Sequence, residues 1–396
     1  MNDEIRFDFD EVIDRRGKNF LKWDIKENES PMWVADMDFK TSPAIIEGIK
    51  KRVNDGIFGY SNICNKWYES YISWWKNRHD VDIEKEWLIF SSGVIASISS
   101  IIRRLSQPGE NILLQTPVYN IFFNCVLNNG RNVLENNLLY KNNNYFIDWD
   151  DLEKKLSDKQ VSMMILCNPH NPMGKIWSEN DLLNIGLLCK KYNVILVSDE
   201  IHCDLVDFNH VYNSFIKTEK IFEELGIVLI SPTKAFNIAG IQTSAVVVKN
   251  NFLRHKVWRG LNNDEVGEPN IFAVDAVINA FNNKISESWL DDVRKYIFEN
   301  KKIVSEFIKN ELPEIFIANG EATYLMWLDC EKILYKNKKQ VDLCDFIREK
   351  TGLFLSDGKT FRGNGENFLR INVACPRKIL FDGLDRLKTG ILEYVS

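Results

Sequence analysis

The chain has 396 residues, of which 45% are hydrophobic and 27% are charged, and its formal net charge is −6. This length exceeds the roughly 250–300 residues at which a single hydrophobic core stops growing, so we expect two structural units. The composition excludes a disordered chain. Lys and Arg are scattered, which excludes the basic surface that binds nucleic acid or an anionic membrane. These properties favour a small-molecule partner.

The sequence carries no sign of export, membrane insertion or metal binding. Residues Met1–Arg6 lack the charged and then apolar layout of a signal peptide, and no apolar run approaches the ~18 residues of a membrane span. The eight cysteines are widely spaced, without the Cys-x-x-Cys pairs of zinc or redox sites. We therefore expect a cytoplasmic protein, no membrane contact and no metal.

From about Trp87 to Val248, short apolar runs alternate with segments of helical periodicity. The predicted strands are Trp87–Phe90, Asn111–Leu114, Val161–Cys167, Val194–Val197, Ile227–Ile230 and Ala245–Val248. Ser178-x-x-Asp181 predicts the capped start of one intervening helix. Several strands are apolar throughout, as strands covered by helices on both faces should be. This pattern predicts an α/β fold with a mostly parallel central sheet flanked by helices.

After Asn282 the pattern changes to a long helical stretch, which we expect to connect two units. Beyond Pro313, strands are predicted at Thr323–Leu328 and Phe368–Val373. We group this region with the N-terminal residues. The expected division is a large domain of residues 48–283 and a smaller α+β domain, built from both termini, of residues 1–47 and 284–396.

Five loops that follow predicted strands carry residues suited to binding a ligand. They are Ser91–Val94, Thr116–Tyr119, Asn168–Gly174, Ser198–His202 and Ser231–Gly240. The glycine turn before a helix suits a phosphate, and Tyr119 can stack on a flat ring. Taken singly, each motif has an ordinary structural explanation, such as a tight turn or a core tyrosine.

Two of these loops carry charge at the end of an apolar strand. An unpaired carboxylate is costly to bury there, so Asp199 is either paired with a cation or placed for function. Lys234 in such a position can have a lowered pKa and act as a nucleophile toward carbonyl groups. Together the loops predict one site with a phosphate cradle, an aromatic ring, an amide, an acid and an amine.

The order of these residues resembles that of fold-type I pyridoxal 5′-phosphate (PLP) enzymes of the class I/II aminotransferase superfamily. A closer similarity, to the cystathionine β-lyase group typified by MalY and PatB, is carried by Phe9–Gly17, Met32–Phe39, Ser198–Leu205 and Lys234–Gly240. The resemblance extends to Phe368–Asn372 and covers nearly the whole chain.

The resemblance implies that PLP is the cofactor and that Lys234 carries it as a Schiff base and acts as the catalytic base. Asp199 would pair with the pyridine nitrogen, so that the ring can accept electrons. The other implied cofactor residues are Tyr119 on the ring, Asn171 at the 3′-oxygen with His202 nearby, and Gly93, Val94, Ser231 and Thr233 at the phosphate.

The resemblance also implies how substrate and partner subunit are bound. Arg370 would grip the substrate α-carboxylate with its two-donor fork, Trp33 would line the entrance to the substrate pocket, and Asn171 would also contact the substrate. Tyr60 would reach the phosphate in the neighbouring subunit. This implies a homodimer with shared active sites.

Two positions bear on the reaction. Many class I aminotransferases have tyrosine and arginine where this chain has His202 and Gln242, which match the β-lyase group. We therefore expect a C–S β-lyase that cleaves cystathionine or related S-substituted cysteines to a thiol such as homocysteine, pyruvate and ammonia. The alternative is a class I/II aminotransferase, since the same residues serve both reactions. A non-catalytic ligand sensor is disfavoured because Lys234, Asp199 and Arg370 are all present.

The remaining polar candidates are given structural interpretations. We expect Asp36 and Asp38 to pair near the domain junction and not to bind a metal. His79 has no partner pattern and is interpreted as a surface or loop residue. Cys203 is expected to be a packing residue.

Overall fold

The computed structural model describes residues 7–336 and 341–396. The segment Met1–Arg6, which we compared with a signal peptide, lies outside the described residues. The strands are β1 Ser30–Pro31, β2 Leu88–Ser91, β3 Asn111–Thr116, β4 Asn132–Asn137, β5 Leu139–Lys141, β6 Asn144–Phe146, β7 Val161–Cys167, β8 Ile195–Asp199, β9 Gly226–Ile230, β10 Ser244–Val247, β11 Phe316–Ile317, β12 Leu325–Asp329, β13 Leu353–Phe354, β14 Ser356–Asp357 and β15 Phe368–Asn372.

Helices separate most strands of the central sheet along the chain. They are α1 Pro43–Asn54, α2 Asn65–His79, α3 Val94–Leu105, α4 Ile121–Asn128, α5 Trp149–Leu156, α6 Glu179–Lys191, α7 Lys220–Leu225, α8 Asn251–Asn263, α9 Ala273–Phe281, α10 Lys284–Glu311, α11 Glu331–Lys336, α12 Leu343–Thr351 and α13 Arg377–Val395. The predicted capping box is confirmed at α6, where Ser178 and Asp181 cap each other's backbone N–H groups. No helix within residues 7–336 and 341–396 combines the length and apolar character needed to cross a bilayer.

A seven-stranded sheet with the order β2-β10-β9-β8-β7-β3-β4 forms the centre of the fold. The pairs β3–β4, β3–β7, β7–β8 and β8–β9 are parallel, whereas β10 is antiparallel to both of its neighbours. The predicted mostly parallel sheet is therefore confirmed. Because β10 alone is reversed, its first residues lie at the edge where the other strands end.

The central sheet is buried on both faces. Along β7, Met163 and Ile165 join an apolar layer that includes residues of α3 and α4, whereas Met164 and Leu166 join the larger layer on the other side. This alternation follows from the two-residue period of a strand. Helices on both faces explain why the strand reads as a continuous apolar run, as expected.

Several strands were not predicted. β4 and the hairpin of β5 and β6 are rich in asparagine, a residue typical of turns, and β4 lies at the sheet edge with β3 as its partner. An edge strand is covered less completely than a central one, so it needs no apolar run. The sequence signal used for the central strands is therefore absent there.

A four-stranded antiparallel sheet with the order β11-β12-β15-β14 follows the long helix α10. β1, near the N-terminus, pairs in parallel with β13, near the C-terminus, which ties the two ends of the chain together. α10 contacts α1 and α9 as well as β11 and α13. It thus touches both regions, and the domain boundaries at residues 47 and 283 stay predictions.

Candidate active site

A cavity of about 310 Å³ lies at the carboxyl-terminal edge of the central sheet. The predicted site residues that line it are Gly93, Val94, Tyr119, Asn171, Asp199, His202, Thr233 and Lys234. Asp199 is the last residue of β8, and the others follow the ends of β2, β3, β7, β8 and β9, which parallel strands bring to one edge. This volume suits a small organic ligand.

The start of α3 forms one wall of the cavity. Val94, Ile95 and Ala96 all line it, and they occupy the first turn of the helix, where backbone N–H groups have no partner within the helix. The positive end of the helix dipole lies at the same place. This wall can therefore bind an anion such as a phosphate.

Lys234 places its amine in the cavity after β9. Its Nζ donates a hydrogen bond of 2.6 Å to the backbone oxygen of Ala35. Burial lowers the pKa of the amine to about 8, while the negative charges of Asp36 and Asp199 oppose that decrease. A substantial fraction of the amine is therefore neutral near pH 8, as a nucleophile or a base requires.

Asp199 ends β8 and is buried in the cavity wall. Its Oδ1 accepts a hydrogen bond of 3.1 Å from the backbone N–H of Ile201. No Lys or Arg in the described parts of the chain forms a salt bridge with it, and burial raises its pKa to about 7. A positively charged ligand group beside this carboxylate would stabilise its ionised form.

The raised pKa of Asp199 predicts how the ligand-free protein responds to pH. An exposed aspartate has a pKa of about 4, so the folded chain binds this proton more tightly than the unfolded chain. This tighter proton binding stabilises the folded chain fully below pH 4, and the stabilisation is lost as the pH rises through 7. We expect Asp199→Asn to raise the melting temperature of the ligand-free protein at pH 8, and by a smaller margin at pH 5. Thermal unfolding checks this, and a variant that melts lower than wild type at pH 8 would contradict it.

Arg370, on β15, is buried and has neutral partners. Nη1 donates to Asn171 Oδ1 at 3.0 Å, and Nη2 donates to the Trp33 oxygen at 2.8 Å and to Ser356 Oγ at 3.0 Å. Nε has no hydrogen-bond partner, and no carboxylate in the described ranges forms a salt bridge with this guanidinium. Burial lowers its pKa to about 10. A buried cation with spare donor capacity can bind a ligand carboxylate.

His202 and Tyr119 line the cavity as uncharged groups. Burial, assisted by the positive charges of Lys234 and Arg370, lowers the pKa of His202 to about 3, so the ring is neutral near pH 7. Its Nδ1 is buried without a hydrogen-bond partner. The Tyr119 ring is held by an edge contact with Phe122, with 5.7 Å between ring centres. Both rings are thus available to contact a ligand.

Ser231 and Thr233 are linked to each other. Ser231 Oγ donates to the Thr243 oxygen at 2.7 Å and lies 2.7 Å from Thr233 Oγ1. Thr233 lines the cavity, whereas Ser231 does not. The geometry lets Ser231 orient Thr233, and the direct phosphate contact expected for Ser231 stays a prediction.

Trp33 and Tyr60 lie apart from the cavity lining. The Trp33 ring stacks on Phe354, with 4.6 Å between ring centres, while its backbone oxygen binds Arg370. Tyr60 is fully exposed, at 102% of its reference area. Tyr60 does not line the cavity of its own chain, which contains Lys234 and Asp199.

Sequence reasoning missed several residues of the site. Ala35, Ile95 and Thr243 line the cavity, and Thr243 Oγ1 is buried there without a hydrogen-bond partner. Thr243 lies at this edge because β10 runs in the reverse direction. The direction of a strand within a sheet cannot be predicted from the residues of that strand. Ala35 contributes a backbone oxygen, which any residue type could supply.

A second polar cluster lies at His79, Cys203 and Asp204, whose ligand atoms are all within 4.8 Å of one another. The interpretation of His79 as a surface residue was wrong, because it is buried. Its Nε2 bonds to Asp204 Oδ1 at 2.8 Å, and Trp74 Nε1 donates to the same oxygen at 3.0 Å. Burial raises the pKa of the Cys203 thiol, which disfavours the thiolate that a metal needs. We interpret this cluster as a hydrogen-bonded part of the core.

The expected pairing of Asp36 and Asp38 is confirmed. Arg15 forms salt bridges with Asp36 at 2.7 Å and Asp38 at 2.9 Å, and Lys22 forms one with Asp38 at 2.7 Å. These contacts attach the N-terminal segment to the stretch that contains Trp33 and Ala35.

Comparison with known proteins extends over nearly the whole chain. The chain is 38% identical over 390 residues to cystathionine beta-lyase PatB of Bacillus subtilis, covering 97% of this chain and 99% of that protein. It is 30% identical over 393 residues to protein MalY of Escherichia coli, with 97% and 99% covered. The similarity to the MalY and PatB group is thereby confirmed.

Known structures and families agree with this similarity. The PLP-bound C-S lyase from Staphylococcus hominis superposes with a TM-score of 0.92 at 31% identity, covering 98% of this chain and 99% of that one. The family description "Aminotransferase class I and II" matches residues 33–387. That match includes every predicted site residue, and the chain therefore belongs to the class I and II aminotransferase family.

Proposed function

We propose that this chain is a PLP-dependent C–S β-lyase that cleaves cystathionine or related S-substituted cysteines to a thiol, pyruvate and ammonia. The observation that carries the proposal is the 38% identity, over 97% of the chain, to a protein named as a cystathionine β-lyase. The site chemistry supports it independently, because the cavity joins an amine, an acid and an anion-binding helix start.

The residues present fit PLP. The buried Asp199 has no salt-bridge partner in the described residues and would pair with the pyridine nitrogen, while Lys234 would bind the aldehyde carbon. The start of α3 and Thr233 would hold the phosphate. The other contacts proposed are Tyr119 on the ring, Asn171 at the 3′-oxygen, His202 nearby and Ser231 through Thr233. When bound, PLP supplies an electron sink for the negative charge that develops at the substrate Cα.

The catalytic tasks fall to Lys234 and Asp199, which line the cavity, and to Arg370, which bonds the lining residue Asn171. Arg370 holds the substrate α-carboxylate with its planar fork, which orients the Cα–H bond. Lys234, as the free amine, takes the proton from Cα, and Asp199 keeps the pyridine nitrogen protonated. Lys234 then gives its proton to the sulfur that leaves Cβ with the bonding electron pair. Water completes the balance, so that cystathionine and water yield homocysteine, pyruvate and ammonia.

The experiment that tests this function is an assay of the purified, PLP-loaded protein with cystathionine. Pyruvate and homocysteine should appear in equal amounts without any added keto acid. Amino transfer that depends on a keto acid and releases no pyruvate would instead establish the aminotransferase alternative.

We also propose that the protein works as a homodimer in the cytoplasm. Large apolar side chains are exposed on one short segment, namely Ile57 at 76%, Phe58 at 62% and Tyr60 at 102%. Such a patch is typical of an interface, and Tyr60 would reach the phosphate of the partner's site. All eight cysteines are free thiols, which agrees with a reducing compartment.

Shared sites can be tested by mixing two inactive proteins. Tyr60→Ala and Lys234→Ala homodimers should each lose most of their activity. A mixed dimer has one site that combines an intact Lys234 with an intact Tyr60 from the other chain. Pyruvate formation should therefore reappear after the two variants are unfolded, mixed and refolded. Failure to regain activity, with mixed dimers present by mass spectrometry, would contradict shared sites.

A further inference from the structure

The backbone oxygen of Ala35 accepts two hydrogen bonds at the edge of the cavity. One comes from Lys234 Nζ at 2.6 Å, and the other comes from the hydroxyl of Tyr324 at 3.0 Å. Tyr324 is completely buried just before β12, and burial raises its pKa, so the hydroxyl keeps its proton and remains a donor. The amine and the phenol therefore share one acceptor.

This acceptor cannot move far, because the backbone on both sides of it is held. Asn372 Nδ2 donates to the Val34 oxygen at 2.6 Å and to the Asp36 oxygen at 2.7 Å. Arg370 Nη2 donates to the oxygen of Trp33 at 2.8 Å. A carbonyl between such contacts is a rigid point of attachment for whatever it binds.

We propose that Tyr324 is a positioning residue for the free amine of Lys234, acting through the Ala35 carbonyl. The hydroxyl occupies one lone pair of this oxygen and leaves the other for the amine. The amine therefore bonds from one direction, and this fixes where its lone pair and its other N–H bonds point. The proposal rests on the function proposed above, since the amine is free only while substrate occupies its place on the cofactor. It adds a residue that neither lines the cavity nor touches the reacting atoms.

The hydroxyl also affects the charge of the amine. A carbonyl that already accepts one hydrogen bond is a weaker acceptor for an ammonium group, so Tyr324 favours the neutral amine. Removing the hydroxyl should therefore raise the pKa of Lys234. The other groups that face this amine stay unchanged in that variant; they are Asp36, Asp199, Arg370 and the neutral His202.

The test compares Tyr324→Phe with Tyr145→Phe. Tyr145 is a buried tyrosine outside the cavity, and its hydroxyl donates to Asn364 Oδ1 at 2.9 Å and accepts from Trp327 Nε1 at 3.1 Å. Tyr324→Phe removes a donor and leaves Ala35 with Lys234 as its partner, so no buried acceptor is left unpaired and the fold should persist. Circular dichroism and the melting temperature check this.

The first readout needs no cofactor. The cofactor-free protein is labelled with acetic anhydride over a range of pH, and mass spectrometry follows acetylation of the Lys234 peptide. In Tyr324→Phe the midpoint should rise by about half a pH unit or more, because hydrogen bonds to charged groups are stronger than neutral ones. Tyr145→Phe should match wild type.

The second readout uses the PLP-loaded protein with cystathionine. Tyr324→Phe should lower kcat about tenfold, since a misplaced base transfers protons slowly, while KM stays within about twofold. The acid limb of kcat should move to higher pH. An unchanged Lys234 midpoint, or an equal shift in Tyr145→Phe, overturns the proposal. If wild type forms no pyruvate, the proposed function fails, whereas the labelling result still decides the role of Tyr324.

Discussion

Lys234→Ala is expected to lower the rate of pyruvate formation from cystathionine by about 10⁴-fold or more. General acid–base catalysis alone typically contributes 10²–10⁴-fold, and this side chain is proposed to act as base, as acid and as the point of covalent attachment. The structure supports these tasks because the amine lies in the cavity with a pKa of about 8. The measurement is pyruvate release at saturating PLP.

A second measurement separates attachment from catalysis. Borohydride reduction of the wild-type protein should fix PLP on the Lys234 peptide, and the alanine variant should retain no reduced cofactor after denaturation. Lys191→Ala is the matched control, since that amine is on the surface and pairs with Glu153 at 2.6 Å. If the Lys234→Ala variant retained activity and carried reduced cofactor on another lysine, the role proposed for Lys234 would be wrong.

Arg370→Gln is expected to lower kcat/KM for cystathionine by about 10²–10³-fold. Removing one partner of a buried, hydrogen-bonded charge pair costs about 3–5 kcal/mol, and part of this is offset because glutamine can still donate to Asn171. Arg370 is suited to bind an anion because it is buried and its hydrogen-bond acceptors, Asn171 and the Trp33 backbone oxygen, are neutral. The loss should appear mainly in KM, because the carboxylate is bound before the reaction as well as during it.

A substrate analogue provides the control. An S-substituted cysteamine lacks the α-carboxylate, so its reaction should be equally slow with wild type and with Arg370→Gln. Arg103→Gln, which removes a surface arginine that pairs with Asp264 at 2.6 Å, should behave as wild type with both compounds. A wild-type KM for cystathionine in Arg370→Gln would assign the carboxylate to another residue.

The central part of the fold was predictable from the sequence because it is buried on both faces. β7 was predicted at Val161–Cys167, the range observed, and the other predicted strands of the central sheet differ from their predictions by one or two residues at one or both ends. A short, continuous apolar run predicts a central strand, because helices cover both faces of such a strand and exclude water from it. β4 escaped prediction because an edge strand carries no such run.

His202 and His79 show that the role of a residue is difficult to predict when its contact partners are distant in sequence. His202 was recognised through the resemblance to the β-lyase group, which has histidine three residues after the aspartate. His79 was misread, since its partner Asp204 is 125 positions away in sequence and meets it only through packing of α2 against the loop after β8. Nothing near His79 in the sequence indicates that contact.

The sequence by itself determined which groups meet in the cavity: Lys234, Asp199, Asn171 and Tyr119 lie at or just after the ends of β9, β8, β7 and β3, and parallel strands bring such positions to one edge. Tertiary structure alone decided what supports Lys234. Ala35 and Tyr324 are 199 and 90 positions away from it, respectively, and they act through a backbone oxygen and a shared hydrogen bond. A backbone oxygen is the same in every residue, so the sequence cannot mark which one becomes an acceptor until the chain has folded.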